Sequence, residues 1–395
     1  MSTPNIQDRS LLILILDLTP KTWGKRAQIR NLSDKQRASQ NKGSMGPATL
    51  NEVLNALLSF LIAFSSCHRD NTVIVIGVAG KETAVLHPRK DRLEDVMGVS
   101  SLDKSMDLIE MRDGIMLGVT ELVNQCVENS SKEGYIDRGT AIAAATSLGL
   151  CLINRVMKSA TAGSSLLEEN SLFRRKEDEG ILGMISAKLN KEGENATKFA
   201  AEQRLAQRRA RGMLSPRMLI VQASEDCTLD YNAFMNCVFA AIKNDVVIDG
   251  CFLSSPNMPE TSTFLEQATD RSGGVYSKPK GTAQIFGGLT EVLMTVFLPP
   301  LGIRNDLNLP KVTEVDFRAR CFETGESLDM GFVCNLCLSI FKNEPSGDYC
   351  LTCGAKNTSM NGQDSGLRIE GLKDSDEKKE SEDSSQARKK ARTTA

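Results

Sequence analysis

Histidine is almost missing from this sequence, with 2 among 395 residues, and that scarcity removes most routes to catalysis through an imidazole. His68 ends an apolar helical pattern and His87 stands before Pro88 in a turn; neither belongs to a nucleophile–base arrangement. Net charge of either sign is lacking as well. The 48 basic and 50 acidic residues leave −2, so the chain as a whole carries no basic footprint for nucleic acid, and any such contact is local. Long apolar runs are absent. "LLILIL" is too short for a signal core or a membrane span, no other run approaches spanning length, and no charged start leads toward a cleavage site. On these grounds the chain reads as soluble and intracellular. A phosphate loop is lacking too: "GVAGKET", from Gly77, has neither the spacing nor a following helix, and reads as a hairpin turn.

What the sequence has is a crowded group of cysteines. Of 11, six (Cys67, Cys126, Cys151, Cys227, Cys237, Cys251) are scattered through apolar or helical surroundings and read as free thiols. Without a secretory signal, a disulfide framework is not expected. The others fall between Cys321 and Cys353. Two Cys-x-x-Cys knuckles, Cys334/Cys337 and Cys350/Cys353, flank a spacer, 338–349, in which "NEPSGD" suits a chain reversal. Paired knuckles bring four thiolates to tetrahedral corners, the donor set of a closed, structural zinc site. Phe332, Val333, Leu338, Ile340 and Phe341 are expected to form a miniature core around it. A thioredoxin-type site needs a single motif at a strand–helix junction, and a two-metal RING needs eight ligands, so both fit poorly. Cys321 is a fifth thiol, which reads as structural, with replacement of one of the four ligands as the alternative.

With 41% hydrophobic and 25% charged residues the chain can build a large core. Buried strands are expected in "LLILILDLTP", "NTVIVIGVAG", "RMLIVQAS" and "VVIDGCFLS", with short ones in "ETAVLHP" and "GVYSKP". Helical patterns lie between them, over about 48–67, 102–128, 139–158 and in "LDYNAFMNCVFAAIKND", "TSTFLEQATDRSGG" and "TAQIFGGLTEVLMTVF". The stretch 24–47 reads as polar connection. Such alternation predicts an α/β domain over residues 8–300, a mostly parallel sheet with helices on both faces. A charged insertion, 159–212, interrupts it; its end is basic (Arg204, Arg208, Arg209, Arg211) and reads as a solvated face. The cysteine-rich module spans 315–356. The charged, serine-rich tail, 357–395, is expected to be disordered, and it closes on Arg388, Lys389, Lys390 and Arg392, a cluster of nuclear-localisation type.

Asp17 ends the first strand, where open α/β sheets place their ligands. The pattern resembles von Willebrand factor A domains, whose first strand ends in Asp-x-Ser-x-Ser and holds magnesium with a later Thr and Asp. Here it reads Asp17-Leu18-Thr19-Pro20-Lys21, with Thr140 and Asp226 as the later partners. Lys21 puts a cation where a hydroxyl is needed, so the expectation is a von Willebrand-type fold with a vestigial magnesium site.

Three blocks carry a closer resemblance: "DLTPKTWGKRA", "ATDRSGGVYSKP", and "VFLPP" followed by "VDFRARCFETGESLDMGFVCNLCLSIF" and "CLTCG". Together they resemble the family of the smaller, 34-kilodalton von Willebrand-type subunit of general transcription factor IIH, over residues 8 to about 356. That resemblance implies a non-catalytic subunit of the TFIIH core in the nucleus, acting in RNA polymerase II transcription initiation and nucleotide excision repair. It implies docking to the larger von Willebrand-type subunit, which regulates a helicase, and zinc on Cys334, Cys337, Cys350 and Cys353. It implies no small-molecule substrate, no membrane and at most indirect contact with DNA. Two alternatives remain beside it: a metal-dependent ligand-binding von Willebrand A protein, and a zinc-ribbon nucleic-acid binder.

Overall fold

Strand β1, Ser10–Asp17, is buried at every position, which explains why its sequence is an unbroken apolar run: helices cover both of its faces. The computed structural model describes residues 9–40, 46–68, 71–88, 108–132, 141–164, 214–255, 261–279, 288–310, 315, 317–324, 326–343 and 349–356. The chain divides into two units, Met1–Asp316 and Phe317–Ala395.

In the first unit β1 lies at the centre of a six-stranded sheet of order β3-β2-β1-β4-β5-β6. The strands β2 (Thr72–Ala79), β4 (Ser215–Gln222), β5 (Val247–Phe252) and β6 (Tyr276–Ser277) run parallel to their neighbours. The edge strand β3 (Glu82–His87) returns antiparallel to β2 through the turn at Gly80, whose φ of 59° suits glycine. Chain order reverses direction between β1 and β4, so the switch point of this doubly wound sheet sits at their carboxyl ends.

Alternation along each strand sends its side chains into two cores. Leu12, Leu14 and Leu16 pack with α2 (Leu50–Cys67), α3 (Leu108–Lys132) and the last helix, α7 (Gly288–Phe297). Leu11, Ile13 and Ile15 pack against α4 (Ile142–Ser164), α5 (Tyr231–Lys243) and α6 (Thr263–Ser272). Gly149 of α4 faces Ile13 and Met218 so closely that a Cβ would come within 2.9 Å of the methionine methyl, which explains a glycine inside a helix.

The sequence expectations need three corrections in this unit. The stretch read as a polar connection begins a helix: α1 spans Pro20–Gln40, and Pro20, taken to break the strand, is its first residue. Proline serves there because the first turn needs no N–H from it, and Trp23 N–H bonds the Thr19 carbonyl to close that turn. α2 is long and apolar enough to cross a membrane by length and composition, contrary to the reading that no run approaches a span. Its apolar face, with Leu54, Leu57, Leu61 and Phe64, is buried in the core, and Asn51, Glu52 and Asn55 interrupt the other side. α4 continues to Ser164, past the expected start of the insertion. β6 is a pair of residues. The remainder of the insertion, 165–212, lies outside the described residues, as does the tail with Arg388, Lys389, Lys390 and Arg392.

The second unit is built from two small hairpins, β7 (Ala319–Arg320) with β8 (Ser327–Leu328) and β9 (Phe332–Val333) with β10 (Ile340–Phe341). The expected miniature core is only partly as read. Phe341 is buried, but Phe332 and Leu338 are exposed, and Cys321, Leu328 and Cys350 are buried in this unit instead. The "NEPSGD" reversal falls largely outside the described residues.

Candidate metal centre and strand-end carboxylates

Each cysteine knuckle is the same short piece of backbone made twice. In the first, the Leu338 amide donates to the Cys334 carbonyl at 2.9 Å, and the Cys334 amide donates to the Ser339 carbonyl at 2.9 Å. In the second, Gly354 donates to Cys350 at 2.9 Å and Cys350 to Ala355 at 2.7 Å. The β9–β10 hairpin carries the first knuckle as its loop, and a Tyr349–Lys356 bridge closes the second.

These turns bring the sulfurs of Cys334, Cys337, Cys350 and Cys353 within 4.8 Å of one another. The Cys334–Cys353 and Cys337–Cys350 separations are 3.9 Å and 3.7 Å. Four thiolates ~2.3 Å from one tetrahedral ion stand about 3.8 Å apart, so the group can hold a metal ion with little movement. Protonation follows the same crowding. Burial raises the Cys337 thiol, yet its hydrogen bonds with Ser339, Cys353 and Cys334 outweigh that and bring the thiol to about 6. The Ala355 amide favours the Cys353 thiolate, but burial and the neighbouring cysteines push that thiol up to about 12. Sulfurs packed this closely ionise together only around a cation. Cys321 stands apart from the group; its sulfur accepts amide hydrogens from Thr324 and Lys342 at 3.4 Å and 3.3 Å.

The two knuckles differ at the residue after their second cysteine. Both Leu338 and Gly354 adopt left-handed backbone, with φ of 60° and 68°. Glycine does so freely, whereas leucine pays about 1–2 kcal/mol for its Cβ. Leu338 is 69% exposed and so recovers little by packing. Leu338→Gly is therefore expected to stabilise the metal-loaded unit by roughly 1 kcal/mol, part of the relief being offset by a more flexible unfolded chain. The check is the chelator concentration needed to unfold that unit, which rises in the variant; a fall would show that Leu338 packs against something.

At the switch point, the Asp17 carboxylate is filled by donors of the chain itself. Oδ1 accepts the Thr19 amide at 3.0 Å and the Thr19 hydroxyl at 2.7 Å. Oδ2 accepts the Ala223 amide at 3.0 Å, the Ser224 amide at 2.7 Å and the Ser224 hydroxyl. Trp23 Nε1 donates to the Asp17 carbonyl at 2.8 Å, and the Arg26 guanidinium, stacked near the Trp23 ring, donates to the carbonyls of Ala48, Leu253 and Ser254. Lys21 is exposed on the first turn of α1. Of the two hydroxyls on the carboxylate, that of Ser224 comes from just past the end of β4.

Asp226 is engaged elsewhere. It accepts Gln222 Nε2 at 2.9 Å and the Ser262 hydroxyl on one oxygen, and Thr263 Oγ1 and the Phe264 amide on the other. That places a carboxylate at the amino end of α6, where the helix dipole favours it. Thr140 lies outside the described residues. His87 is largely buried, and burial pulls its imidazole down to about 4, so it is neutral at physiological pH.

Sequence reasoning missed Ser224, Trp23 and Arg26 as partners of the switch point, although Trp23 lay in one of the resembling blocks. It also passed over Arg217 and Asp249, which sit inside strands buried on both faces. A charge within such a run is itself a signal, because burial demands a partner.

Comparisons with known proteins give the family. The family model "Transcription factor Tfb4" matches residues 9–354. The "General transcription and DNA repair factor IIH subunit tfb4" of Schizosaccharomyces pombe is 29% identical over 355 residues, covering 88% of this chain and 89% of its own. The TFB4 subunit of Debaryomyces hansenii is 28% identical over 372 residues, 88% of this chain and 85% of its own. That of Arabidopsis thaliana is 41% identical over 140 residues, 35% of this chain and 43% of its own. Among solved structures, the TFIIH p34 N-terminal domain aligns with a TM-score of 0.46 and 18% identity, over 72% of this chain and 97% of that one. The family model runs from β1 through the second cysteine knuckle, and on that match this chain belongs to the transcription factor Tfb4 family.

Proposed function

We propose that this chain is a non-catalytic subunit of the TFIIH core, working in the nucleus in transcription initiation and nucleotide excision repair as a dock for the larger von Willebrand-type subunit. The observation that carries this reading is the Asp17 carboxylate. At the position where a working von Willebrand A domain binds magnesium, five hydrogen-bond donations from Thr19, Ala223 and Ser224 take up its lone pairs. The magnesium site is thus vestigial, closed by the chain's own Ser224, and Asp226 has become a helix cap. A carboxylate whose lone pairs are taken by the chain's own donors has none left for a hard cation, which favours a role in holding proteins over one in metal-dependent ligand binding.

The same reading gives the four cysteines a zinc ion with a structural task, since all four positions are thiolates and none is left open for a substrate. Among the described residues of the second unit, Lys342 and Arg318 are paired with Glu326 and Asp329, which weakens the case for direct DNA binding through those two cations. The relatives are named as subunits of a transcription and DNA repair factor, which supports the nuclear assignment.

The test is a pull-down of the tagged full chain from nuclear extract, with metal analysis of the product. The expected result is stoichiometric recovery of a larger von Willebrand-type subunit and one equivalent of zinc. A chain that purifies alone as a stable monomer, or that turns over a substrate, overturns the proposal.

A further inference from the structure

Arg217 and Asp249 are charged residues in the two strands β4 and β5, on the face that packs against α2 and α7, and both are 1% exposed. Charges so placed cost several kcal/mol each unless their partners are well aimed. Here they are. Arg217 Nη1 donates to the carbonyls of Phe297 and Pro299 at 2.8 Å and 3.0 Å, and Nη2 donates to Leu298 at 3.3 Å. Those are the last carbonyl of α7 and the two that follow it, where Pro299 and Pro300 prevent the helix from continuing. A strand arginine, its guanidinium over the Phe64 ring at 4.9 Å, thus caps the carboxyl end of a helix.

Asp249 holds the next turn. Both of its oxygens bind Arg304, Oδ1 to Nη1 and Oδ2 to Nη2, each at 2.7 Å, while Oδ1 also accepts the Val275 amide at 2.9 Å. Arg304 Nε reaches back to the Pro299 carbonyl at 3.3 Å, so both arginines meet on one residue. The turns between them rest on few backbone bonds: Ile303 to Pro300, Asp306 to Ile303 and Leu307 to Arg304. Side chains therefore hold this stretch in place more than backbone bonds do.

We propose that Arg217, Asp249 and Arg304 form a clasp on residues 298–307, the stretch that follows α7 in the α/β unit, and that opening the clasp releases this stretch while the sheet stays folded. Buried ion pairs are often no more stabilising than apolar residues of the same size. Their use here is geometric: bidentate pairing fixes the course of the segment after α7. The clasp needs no partner protein, so it stands or falls apart from the docking proposal.

Asp249→Asn in the zinc-loaded full chain tests it. The amide keeps an acceptor for Val275 but removes the counter-charge from Arg304. Hydrogen exchange in peptides covering 298–310 is expected to accelerate more than about tenfold, and new protease cleavage to appear there, with β1 and β4 peptides unchanged. Arg304→Met, which spares the strands, is expected to give the same local release and serves if the first variant does not fold. Unchanged exchange over 298–310 in both variants overturns the clasp. Equal acceleration everywhere overturns it too, because Asp249 would then belong to the general core.

Discussion

Replacing Cys350 by Ser is expected to empty the cysteine group and unfold the second unit while the α/β unit keeps its full thermal transition. Cys350 is 2% exposed, and its own amide and carbonyl close the second knuckle, so no spare ligand stands in its place. Among its described residues the second unit has little else to fold on: two hairpins of two-residue strands and few buried apolar side chains, against the two extended cores of the first unit. Zinc supplies on the order of 10–16 kcal/mol to such small sites, more than any packing available here. The measurements are zinc content, expected to fall from one equivalent to near none, and exchange of amides over 317–356, expected to lose protection. Zinc retained at one equivalent would mean that Cys321 or another group takes the fourth place, and the assignment of ligands would be wrong.

Asp17→Ala is expected to have the largest effect in the α/β unit, and its sign separates a structural carboxylate from a metal ligand. Removing the side chain leaves the buried amides of Thr19, Ala223 and Ser224 without an acceptor at the seam of β1 and β4. Buried donors stranded around a deleted charge cost about 3–5 kcal/mol, or roughly 10 °C in the midpoint of a domain this size. Asp17→Asn fares little better, because half of its amide is a donor facing other donors. In a working magnesium site the outcome differs: the apo domain barely changes on mutation, and magnesium raises the midpoint of the wild type alone. A magnesium-dependent rise in the unmodified chain would falsify the vestigial reading.

Much of the molecule was legible in its sequence because local patterns map directly onto local structure. "LLILILD" and "RMLIVQ" could only be strands covered on both sides, and the two Cys-x-x-Cys pairs had to meet if they were to share an ion. The errors lie where one residue has two structural meanings. Pro20 ends a strand or opens a helix with equal chemistry, and the polar run after it hides a helix whose apolar contacts are few, Trp23 chief among them. Leu338 looks like a core residue in sequence, yet the left-handed turn after Cys337 aims it outward.

The switch point shows the same division. Lys21 was the reason for expecting a defective magnesium loop, but it lies exposed on α1, while Ser224 occupies the carboxylate from a residue 207 positions away. Nothing local to either segment encodes that contact; it exists because β4 pairs with β1 in parallel register, setting Leu16 beside Val221.

The amino-acid order alone therefore determined the strand pattern, the two-sided burial of the sheet and the four sulfurs at their spacing, since each depends on neighbours within a turn or a pleat. Only the tertiary structure decided what each buried charge is for. Asp17, Asp226, Arg217 and Asp249 find their partners across the sheet or at helix ends, and desolvation makes that distant choice of partner, rather than the residue itself, set the role.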